Sequence, residues 1–398
     1  MSEWKEVRLG DVCTELSDGL HKAPLFVEGG DYIFVNAKNL CNGSIVDNDP
    51  TKKTTYEEYL KYSKPLNENT ILFSIDGTIG NIARYKGEKC VLGKGACYIN
   101  PNPFLADSSY IYYQLQSPHF NSYLNCMSTG STIKHISLKT MRNYEFTLPP
   151  LSEQCRISSI LSSFDDKIAV NRRICENLEA QAQALFKHWF IDFAPFKDGK
   201  FVESELGMIP LSEICDQITD GVHNSVKDEP NSNYMLLSCK NIVGGVLSKN
   251  NYRSISKSTF ESLRLRTKLA KGDVLLSSVG TIGEIAIVEE DPIYYEFQRS
   301  VAIVKPKKKI GTYFLYNALL ASKARLQHAA HGAVQQCLFI GDLKKFEVIY
   351  CDTEKASRYN ETVKPLFEEI AKLHQESSRL ANLRDTLLPK LMSGQIKV

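Results

Sequence analysis

The chain lacks the sequence features that mark membrane proteins, exported proteins and cysteine-based metal sites. No stretch approaches the roughly 18 uncharged apolar residues that a membrane-spanning helix needs. Residues 1–10 contain no apolar core of a signal peptide. The 11 cysteines are odd in number and form no Cys-x-x-Cys pair, which argues against a disulfide framework or a structural zinc site. We therefore expect a cytoplasmic protein with reduced thiols and no bound metal.

A strong net charge and the motifs of catalysis are also missing. The formal net charge is only +2, so a surface for an acidic partner has to arise from local segregation of charge. No Gly-Lys-Ser/Thr loop for ATP is present. The nearest match to an adenine-methyltransferase motif, residues 100–104 (Asn-Pro-Asn-Pro-Phe), carries an extra Asn and is interpreted as a turn. We therefore expect no catalytic residues and no cofactor bound by this chain.

What the chain does contain is a long internal repeat. The residues that recur 202 positions later include Leu9, Cys13, Asp18, Gly19, His21, Tyr32, Lys38 and Asn39, which match Leu211, Cys215, Asp220, Gly221, His223, Tyr234, Lys240 and Asn241. The run 74–80 (Ser-Ile-Asp-Gly-Thr-Ile-Gly) recurs as 277–283 (Ser-Ser-Val-Gly-Thr-Ile-Gly). Such an ordered series predicts two copies of one domain. Between the matches the copies diverge, so one scaffold is predicted to carry two different surfaces.

Each copy ends in a heptad pattern that predicts a long helix. The first follows Pro149-Pro150, and Asn171 lies in its seam, either to fix the register or facing the surface. Pro365 predicts a kink or a new start in the second helix. We expect the two helices to pair antiparallel about a pseudo-two-fold axis, the alternative being that each packs only on its own domain. The predicted seam residues are Ile157, Leu161, Phe164, Ile168, Leu178 and Leu185 in the first helix, and Ile370, Leu373, Leu380 and Leu387 in the second.

The predicted fold class is α+β, because short β-type runs and brief helical patterns mix without regular βαβ alternation. We expect two globular domains of mixed sheet and short helices, separated by two long antiparallel coiled-coil helices. The predicted ranges are a first domain at 1–150, a long helix at 151–193, a linker at 194–210, a second domain at 211–352, and a second long helix with its tail at 353–398.

Two kinds of loop offer groups that suit nucleic acid. In the Gly-Thr-Ile-Gly turns, two glycines let backbone amides approach a phosphate, and the alternative is a plain hairpin turn. In the loops 128–135 and 330–336, hydroxyl, amide and amine groups surround a glycine, and the alternative is an ordinary polar loop. The candidate contact residues are Lys38, Asn39, Gly77, Thr78, Gly80, Lys94, Thr129, Gly130, Ser131 and Lys134 in the first copy, and Lys240, Asn241, Gly280, Thr281, Gly283, Arg299, Gln335 and Gln336 in the second.

Taken together, the duplication, the Ser-x-x-Gly-Thr-Ile-Gly turns and the run 148–154 (Leu-Pro-Pro-Leu-Ser-Glu-Gln) leading into a long helix carry a family resemblance. The chain resembles the specificity subunit of type I restriction-modification systems over essentially its whole length. The second copy departs from the pattern, because residues 350–355 (Tyr-Cys-Asp-Thr-Glu-Lys) replace the Pro-Pro-Leu run.

The resemblance implies a non-catalytic subunit that binds double-stranded DNA. Each target-recognition domain would read one half of a bipartite site, and the helices would set the spacer. Two modification (methyltransferase) subunits would dock on the helices and bind S-adenosylmethionine, while restriction (translocase/endonuclease) subunits would use ATP and Mg. The main alternative is a bilobed protein-interaction adaptor without DNA reading, which the near-neutral charge favours. A self-sufficient nuclease or methyltransferase is disfavoured by the missing motifs.

Overall fold

The chain divides into two compact units, each of which combines one globular domain with part of both long helices. The computed structural model describes residues 4–47, 52–127, 135–192, 207–332, 336–350 and 352–398. Unit 1 consists of Met1–Val170 and Glu376–Val398, and unit 2 consists of Asn171–Gln375. Because each long helix is shared between the units, the predicted domain ranges cut the chain differently and stay predictions.

The first globular domain is built on an antiparallel sheet with smaller sheets beside it. Its strands are β1 (Lys5–Arg8), β2 (Cys13–Asp18), β3 (Tyr32–Val35), β4 (Leu40–Cys41), β5 (Ser44–Ile45), β6 (Lys53–Thr54), β7 (Ile71–Ser74), β8 (Ile82–Arg84), β9 (Cys90–Leu92), β10 (Ala96–Pro101) and β11 (Glu145–Leu148). Its helices are α1 (Tyr56–Tyr62), α2 (Ser108–Gln114), α3 (Pro118–Met127) and α4 (Leu138–Arg142). The main sheet has the order β2-β10-β7-β8, and a second sheet has the order β6-β3-β9 with a parallel β3–β9 pair.

The second globular domain repeats this topology strand for strand. Its strands are β12 (Gly207–Pro210), β13 (Cys215–Asp220), β14 (Tyr234–Leu237), β15 (Ile242–Val243), β16 (Val246–Leu247), β17 (Arg253–Ile255), β18 (Val274–Ser277), β19 (Ile285–Ile287), β20 (Tyr295–Phe297), β21 (Val301–Pro306) and β22 (Glu347–Tyr350). Its helices are α6 (Leu211–Ile214), α7 (Lys257–Thr267), α8 (Thr312–Ala321), α9 (Lys323–His328) and α10 (Ile340–Lys345). The orders β13-β21-β18-β19 and β17-β14-β20 match those of the first domain, which confirms the predicted repeat and the α+β class.

The two long helices are α5 (Leu151–Phe190) and α11 (Thr353–Met392). No described helix is both long and apolar enough to cross a membrane. The predicted start of a new helix at Pro365 is wrong, because α11 begins at Thr353 and continues through the proline. Pro365 is exposed, while Val363 and Phe367 on either side of it are buried in the core of unit 2. Tertiary packing therefore holds the helix where the proline removes a backbone bond.

In each unit the two long helices pair antiparallel, as predicted. In unit 1, Arg384 Nη1 donates to Asp165 Oδ1 at 2.5 Å, and Lys167 lies 3.5 Å from Glu376. In unit 2, the Tyr359 hydroxyl donates to the Ala182 carbonyl at 2.8 Å. The residue numbers fall on α11 as they rise on α5, which defines the antiparallel direction.

The predicted seam is only part of the buried surface of these helices. Ile157, Leu161, Ile370 and Leu373 are buried, whereas the other predicted seam residues, Phe164, Ile168, Leu178, Leu185, Leu380 and Leu387, are half-buried. The stripe that packs on the second domain also includes Ala182, Phe186 and Phe190. Asn171 is fully buried, so the surface-facing alternative for this residue is wrong. Each helix therefore contacts both its partner helix and the domain cores.

A side-chain amide, buried at Gln154 and half-buried at Asn360, ties the first turns of each long helix to its domain. Gln154 accepts a hydrogen bond from the Asp107 amide at 2.8 Å and donates to the carbonyls of Leu105 and Pro149. In the second copy Asn360 has the same role, because its Oδ1 accepts a hydrogen bond from the Tyr313 amide at 2.9 Å. This explains how the second helix dispenses with the Pro-Pro-Leu-Ser-Glu-Gln run.

Replacing Gln154 by Ala is expected to lower the free energy of unfolding by about 1–3 kcal/mol, because buried backbone groups lose their partners. Urea denaturation of the full chain, followed by circular dichroism, measures the change. The control is Gln181→Ala at an exposed position of the same helix, which should stay close to the parent. Equal stability of the two variants would contradict the assigned role.

Candidate nucleic-acid interface

Loops of the first domain meet where β2 and β7 end and β10 and β8 begin. The Lys94 amide donates to the Leu20 carbonyl at 2.9 Å, and the Ile75 amide donates to the Gly95 carbonyl at 3.1 Å. Asn81 Nδ2 donates to the Ala37 carbonyl at 2.8 Å. These bonds gather the loops 18–22, 36–39, 75–81 and 93–95 into one surface, which we name the loop end of the domain.

The second domain has the same loop end. The Arg299 amide donates to the Val222 carbonyl at 3.0 Å, and the Ser278 amide donates to the Ser300 carbonyl at 2.9 Å. Ser300 Oγ also accepts the Cys239 amide at 3.1 Å. A largely polar pocket opens beside these loops, lined by Val222, His223, Asn224, Ser225, Leu236, Arg253, Gln298 and Arg299.

A buried serine closes each Ser-x-x-Gly-Thr-Ile-Gly turn. Ser74 Oγ donates to the Thr78 carbonyl at 2.6 Å and accepts the Asn81 amide at 2.8 Å. Ser277 Oγ donates to the Thr281 carbonyl at 2.5 Å and accepts the Glu284 amide at 2.8 Å. The turns join β7 to β8 and β18 to β19, so the hairpin alternative describes their local structure. The serine explains why the motif begins three residues before its first glycine.

The glycines of these turns adopt left-handed backbone conformations that other residues rarely take. Gly77, Gly80 and Gly280 have φ of +74°, +101° and +78°, and a Cβ at these positions would meet nothing within 4 Å. Gly283, with φ of +90°, is buried against Lys323. Thr78 and Thr281 are exposed beside them. Space beside Gly77, Gly80 and Gly280 is therefore open to a ligand, whereas Gly283 is covered. The amides of Gly80 and Gly280 already donate to the carbonyls of Ser74 at 3.3 Å and Gln336 at 3.0 Å.

The predicted basic residues are exposed on the loop ends. Lys38 and Lys240 are exposed in equivalent loops after β3 and β14. Lys94 and Arg299 are also exposed, and each donates its backbone amide to the carbonyl of the residue directly after the Asp-Gly pair of its own copy, Leu20 or Val222. Lys94 and Arg299 are thus structural equivalents, although they are not 202 residues apart.

Asn39 and Asn241 have structural roles that require no contact with DNA. Both side chains are buried, and each caps the short turn in which it lies. Asn39 Nδ2 donates to the Val46 carbonyl at 3.0 Å, and Asn241 Nδ2 donates to the Ser248 carbonyl at 3.0 Å. We therefore leave these two residues out of the interface proposed below.

The predicted polar loops lie largely outside the described residues. Thr129, Gly130, Ser131, Lys134 and Gln335 belong to the segments that the structure does not describe. Gln336 is described and exposed, and its carbonyl accepts the Gly280 amide at 3.0 Å. Their described neighbours bridge to the Gly-Thr-Ile-Gly turns, since His135 pairs with Asp76 and Cys337 pairs with Val279. The ends of both polar loops therefore lie at the loop ends.

Sequence reasoning noticed the repeated Asp-Gly-x-His residues but assigned them no role. His21 Nε2 lies 3.0 Å from Asp18 Oδ2, and His223 Nε2 lies 2.6 Å from Asp220 Oδ2. Both imidazoles are exposed beside a basic residue of the loop end. Their recurrence at one offset was the available signal.

The rest of each loop end differs between the copies. Asp76 and His135, with an N–O distance of 3.9 Å, are replaced by Val279 and Cys337. Glu284 follows the second turn and binds Lys323 at 2.6 Å. Burial opposes ionisation of Glu284, but the hydrogen bonds from Lys323 and the Gly244 amide and the charge of Lys323 together outweigh burial and lower the pKa of this carboxyl. Among the described residues no cluster of three His, Cys, Asp or Glu side chains could hold a metal.

The fold and the loop ends define a protein of two repeated α+β domains, each presenting a matched surface with different side chains. A family model for the type I restriction modification DNA specificity domain matches residues 1–180 and again 203–380. These matches span most of the chain, which therefore belongs to this family. The resemblance drawn from the sequence is confirmed.

Curated relatives and a solved structure agree with this assignment. The MjaIX specificity subunit of Methanocaldococcus jannaschii is 27% identical over 386 residues, which cover 93% of this chain and 88% of the relative. The HindI specificity subunit of Haemophilus influenzae is 23% identical, with both chains covered in full. The S subunit from M. genitalium has a TM-score of 0.53 at 18% identity, covering 98% of this chain and 96% of its own, and it shares the fold.

Replacing Ser277 by Ala is expected to destabilise the second domain by about 1–3 kcal/mol, because the buried hydroxyl satisfies a carbonyl and an amide of the turn. Amide hydrogen exchange across residues 278–284 should become faster. Thr281→Ala is the matched control, since its side chain is exposed in the same turn. Unchanged exchange in the Ser277 variant would show that the glycines alone hold the turn.

Proposed function

We propose that each globular domain reads one half of a split DNA site, within a type I restriction-modification complex. The observation that carries this proposal is the pair of loop ends, which share a framework and differ in side chains. Two matched surfaces with unlike side chains suit two unlike half-sites. The proposed interface includes Lys38, Gly77, Thr78, Gly80 and Lys94 in the first domain, with Lys240, Gly280, Thr281 and Arg299 in the second.

The exposed cations supply the affinity that the net charge of +2 conceals. Lys38, Lys94, Lys240 and Arg299 bring positive charge to the loop ends, as phosphate contacts require. Base reading belongs to the positions that differ, among them Asp76 and Val279. The polar loops join this surface as predictions, with Thr129, Gly130, Ser131, Lys134 and Gln335 outside the described residues and Gln336 exposed beside the second turn.

The long helices are proposed to set the distance between the half-sites. Helix α5 has 40 residues, which gives about 60 Å at about 1.5 Å per residue. One turn of B-DNA is shorter, about 34 Å. The antiparallel pairing supports a fixed separation, because two helices that brace one another bend less than one.

The partners are proposed from the family. Two modification subunits would dock on the long helices and bring S-adenosylmethionine, and restriction subunits would bring ATP and Mg. Docking is consistent with the exposed apolar side chains Val170, Ile174 and Leu383 on these helices. The chain itself is proposed to bind none of these cofactors.

The adaptor alternative predicts partner binding without DNA binding. The exposed cations of the loop ends favour DNA. Salt-dependent affinity of the reconstituted complex for duplex DNA distinguishes the two functions, because phosphate contacts release counterions. Partner binding with no such affinity would favour the adaptor.

A chain with two copies of the first domain tests half-site reading directly. Residues 207–350 are replaced by residues 5–148, which carry the same strand order. The modification complex should then methylate an inverted repeat of the first half-site, because palindromy of a site mirrors two-fold symmetry of its reader. Methylome sequencing reads the motif, and the parent chain is the control. An unchanged asymmetric motif would exclude half-site reading by the second domain.

Lengthening both long helices tests the spacer. Four residues inserted after Val170 and four after Gln375, where the units divide, add about 6 Å at about 1.5 Å per residue. The spacer should grow by roughly one or two base pairs, given about 3.4 Å of rise per pair, with both half-sites unchanged. Four residues inserted between 194 and 206, within the predicted linker 194–210, are the control and should leave the spacer length unchanged. Altered half-sites would count against the model.

A further inference from the structure

The Asp-Gly-x-His segment has the same geometry in both domains. In each copy the imidazole Nε2 contacts the aspartate carboxylate, at 3.0 Å for His21 and 2.6 Å for His223. The rings are 65% and 59% exposed, whereas the carboxylates of Asp18 and Asp220 are 19% and 16% exposed. Each ring is therefore presented outward while its carboxylate is largely covered.

The intervening glycine fixes where this segment lies. A Cβ on Gly19 would stand 2.3 Å from the Leu92 carbonyl oxygen, and a Cβ on Gly221 would stand 2.0 Å from the Phe297 carbonyl oxygen. No other residue fits such close backbone contact. The segment is thus held against the strand that leads to the basic residue, Lys94 or Arg299.

We propose that His21 with Lys94, and His223 with Arg299, form a binding site for a DNA backbone phosphate in each domain. This deepens the proposed DNA reading and rests on it. In the second domain both side chains line one pocket. In the first, the Lys94 amide bonds the carbonyl of Leu20, the residue before His21.

The phosphate is favoured over a base because the site is the same in both domains. The surrounding side chains differ, as Asp76 and Val279 show, so the half-sites differ. A contact kept in both readers must address what every DNA sequence offers, and this is the phosphodiester backbone. A base contact would be expected to vary with the half-site.

A contribution to folding stability does not by itself account for the His–Asp pair in each domain. An ion pair with an exposed partner contributes little to folding, because water screens it. The chain keeps the pair twice, while the exposed His331–Asp342 pair at 3.6 Å belongs to one copy only. A role in binding explains the repetition.

The hydrogen bond also sets the protonation that binding needs. A carboxylate only accepts, so Nε2 carries the hydrogen that the aspartate binds, and Nδ1 donates to phosphate only when the imidazole is protonated. The phosphate contact is therefore assigned to the doubly protonated ring. Charged groups that the structure places near the rings include Asp18 in the first domain and, in the second, Asp220, which also lies 3.4 Å from Arg266, together with Arg253 and Arg299 of the shared pocket.

The test uses the full chain reconstituted with its modification subunits. Binding is measured to two duplexes, one that contains the sequence motif methylated by the complex and one that lacks this motif. His21→Ala and His223→Ala should each weaken binding of both duplexes about tenfold, as one charge-assisted contact implies. The slope of log affinity on log salt should fall by up to about 1 per site. Lys94→Ala and Arg299→Ala should repeat this pattern, and His188→Ala, an exposed histidine on α5, should not.

The outcomes separate this proposal from the proposed function. If the parent complex does not bind DNA, the proposed function fails. If the parent binds and the histidine variants bind equally well, the phosphate site is wrong. A changed methylation motif in the histidine variants would replace the phosphate site by base reading. If the histidine variants fail to fold while Lys94→Ala and Arg299→Ala keep the salt slope of the parent, the His–Asp pair is structural and the phosphate site is wrong.

Discussion

The burial of both long helices against each domain is the constraint on which the rest of the structure depends. In unit 1, Ile157 and Leu161 of α5 share one apolar core with Leu388 and Leu391 of α11. In unit 2, Phe186 of α5 shares a core with Tyr359 and Val363 of α11. Each core thus needs helix residues from both halves of the sequence, and the first domain is complete only when the C-terminal helix has folded back onto it. Duplication of a half-molecule therefore yields one interdependent protein.

The same position of the repeat is polar in one unit and apolar in the other. Asp165 of unit 1 binds Arg384 at 2.5 Å and accepts the Tyr113 hydroxyl at 2.6 Å. Its counterpart 202 residues later is Phe367, which stacks on Tyr313 with centroids 4.5 Å apart. Exchanging the two pairings would set a charge in an aromatic environment, at a cost in desolvation. The difference favours one arrangement of two otherwise similar helices, and it explains why Arg384 interrupts an apolar seam.

Sequence reasoning succeeded where the relevant pattern is local. Heptads predict α5 and α11, and the repeat predicts two domains of the same topology, since both depend on spacing along the chain. Sequence reasoning was less successful where the role of a residue depends on contacts that spacing along the chain does not reveal. A proline usually breaks a helix, yet the packing of Val363 and Phe367 in the core of unit 2 keeps the helix continuous at Pro365. Asn39 was a candidate DNA contact by sequence, and its amide instead satisfies the backbone of its own loop. The equivalence of Lys94 and Arg299 depends on backbone bonds that no constant offset reveals.

Under the proposed function, comparison of the two loop ends separates the elements that would hold DNA from those that would distinguish one sequence from another. Ser74 and Ser277 close the same turn, and the Asp-Gly-x-His segments recur with the same hydrogen bond, so these elements do not depend on the half-site. Asp76 and Val279 occupy one position with opposite chemistry. If affinity is carried by the constant elements and discrimination by the variable ones, the variable positions can change without loss of the framework or of the phosphate contacts. New specificity then requires new side chains at the loop ends, and no change in the helices.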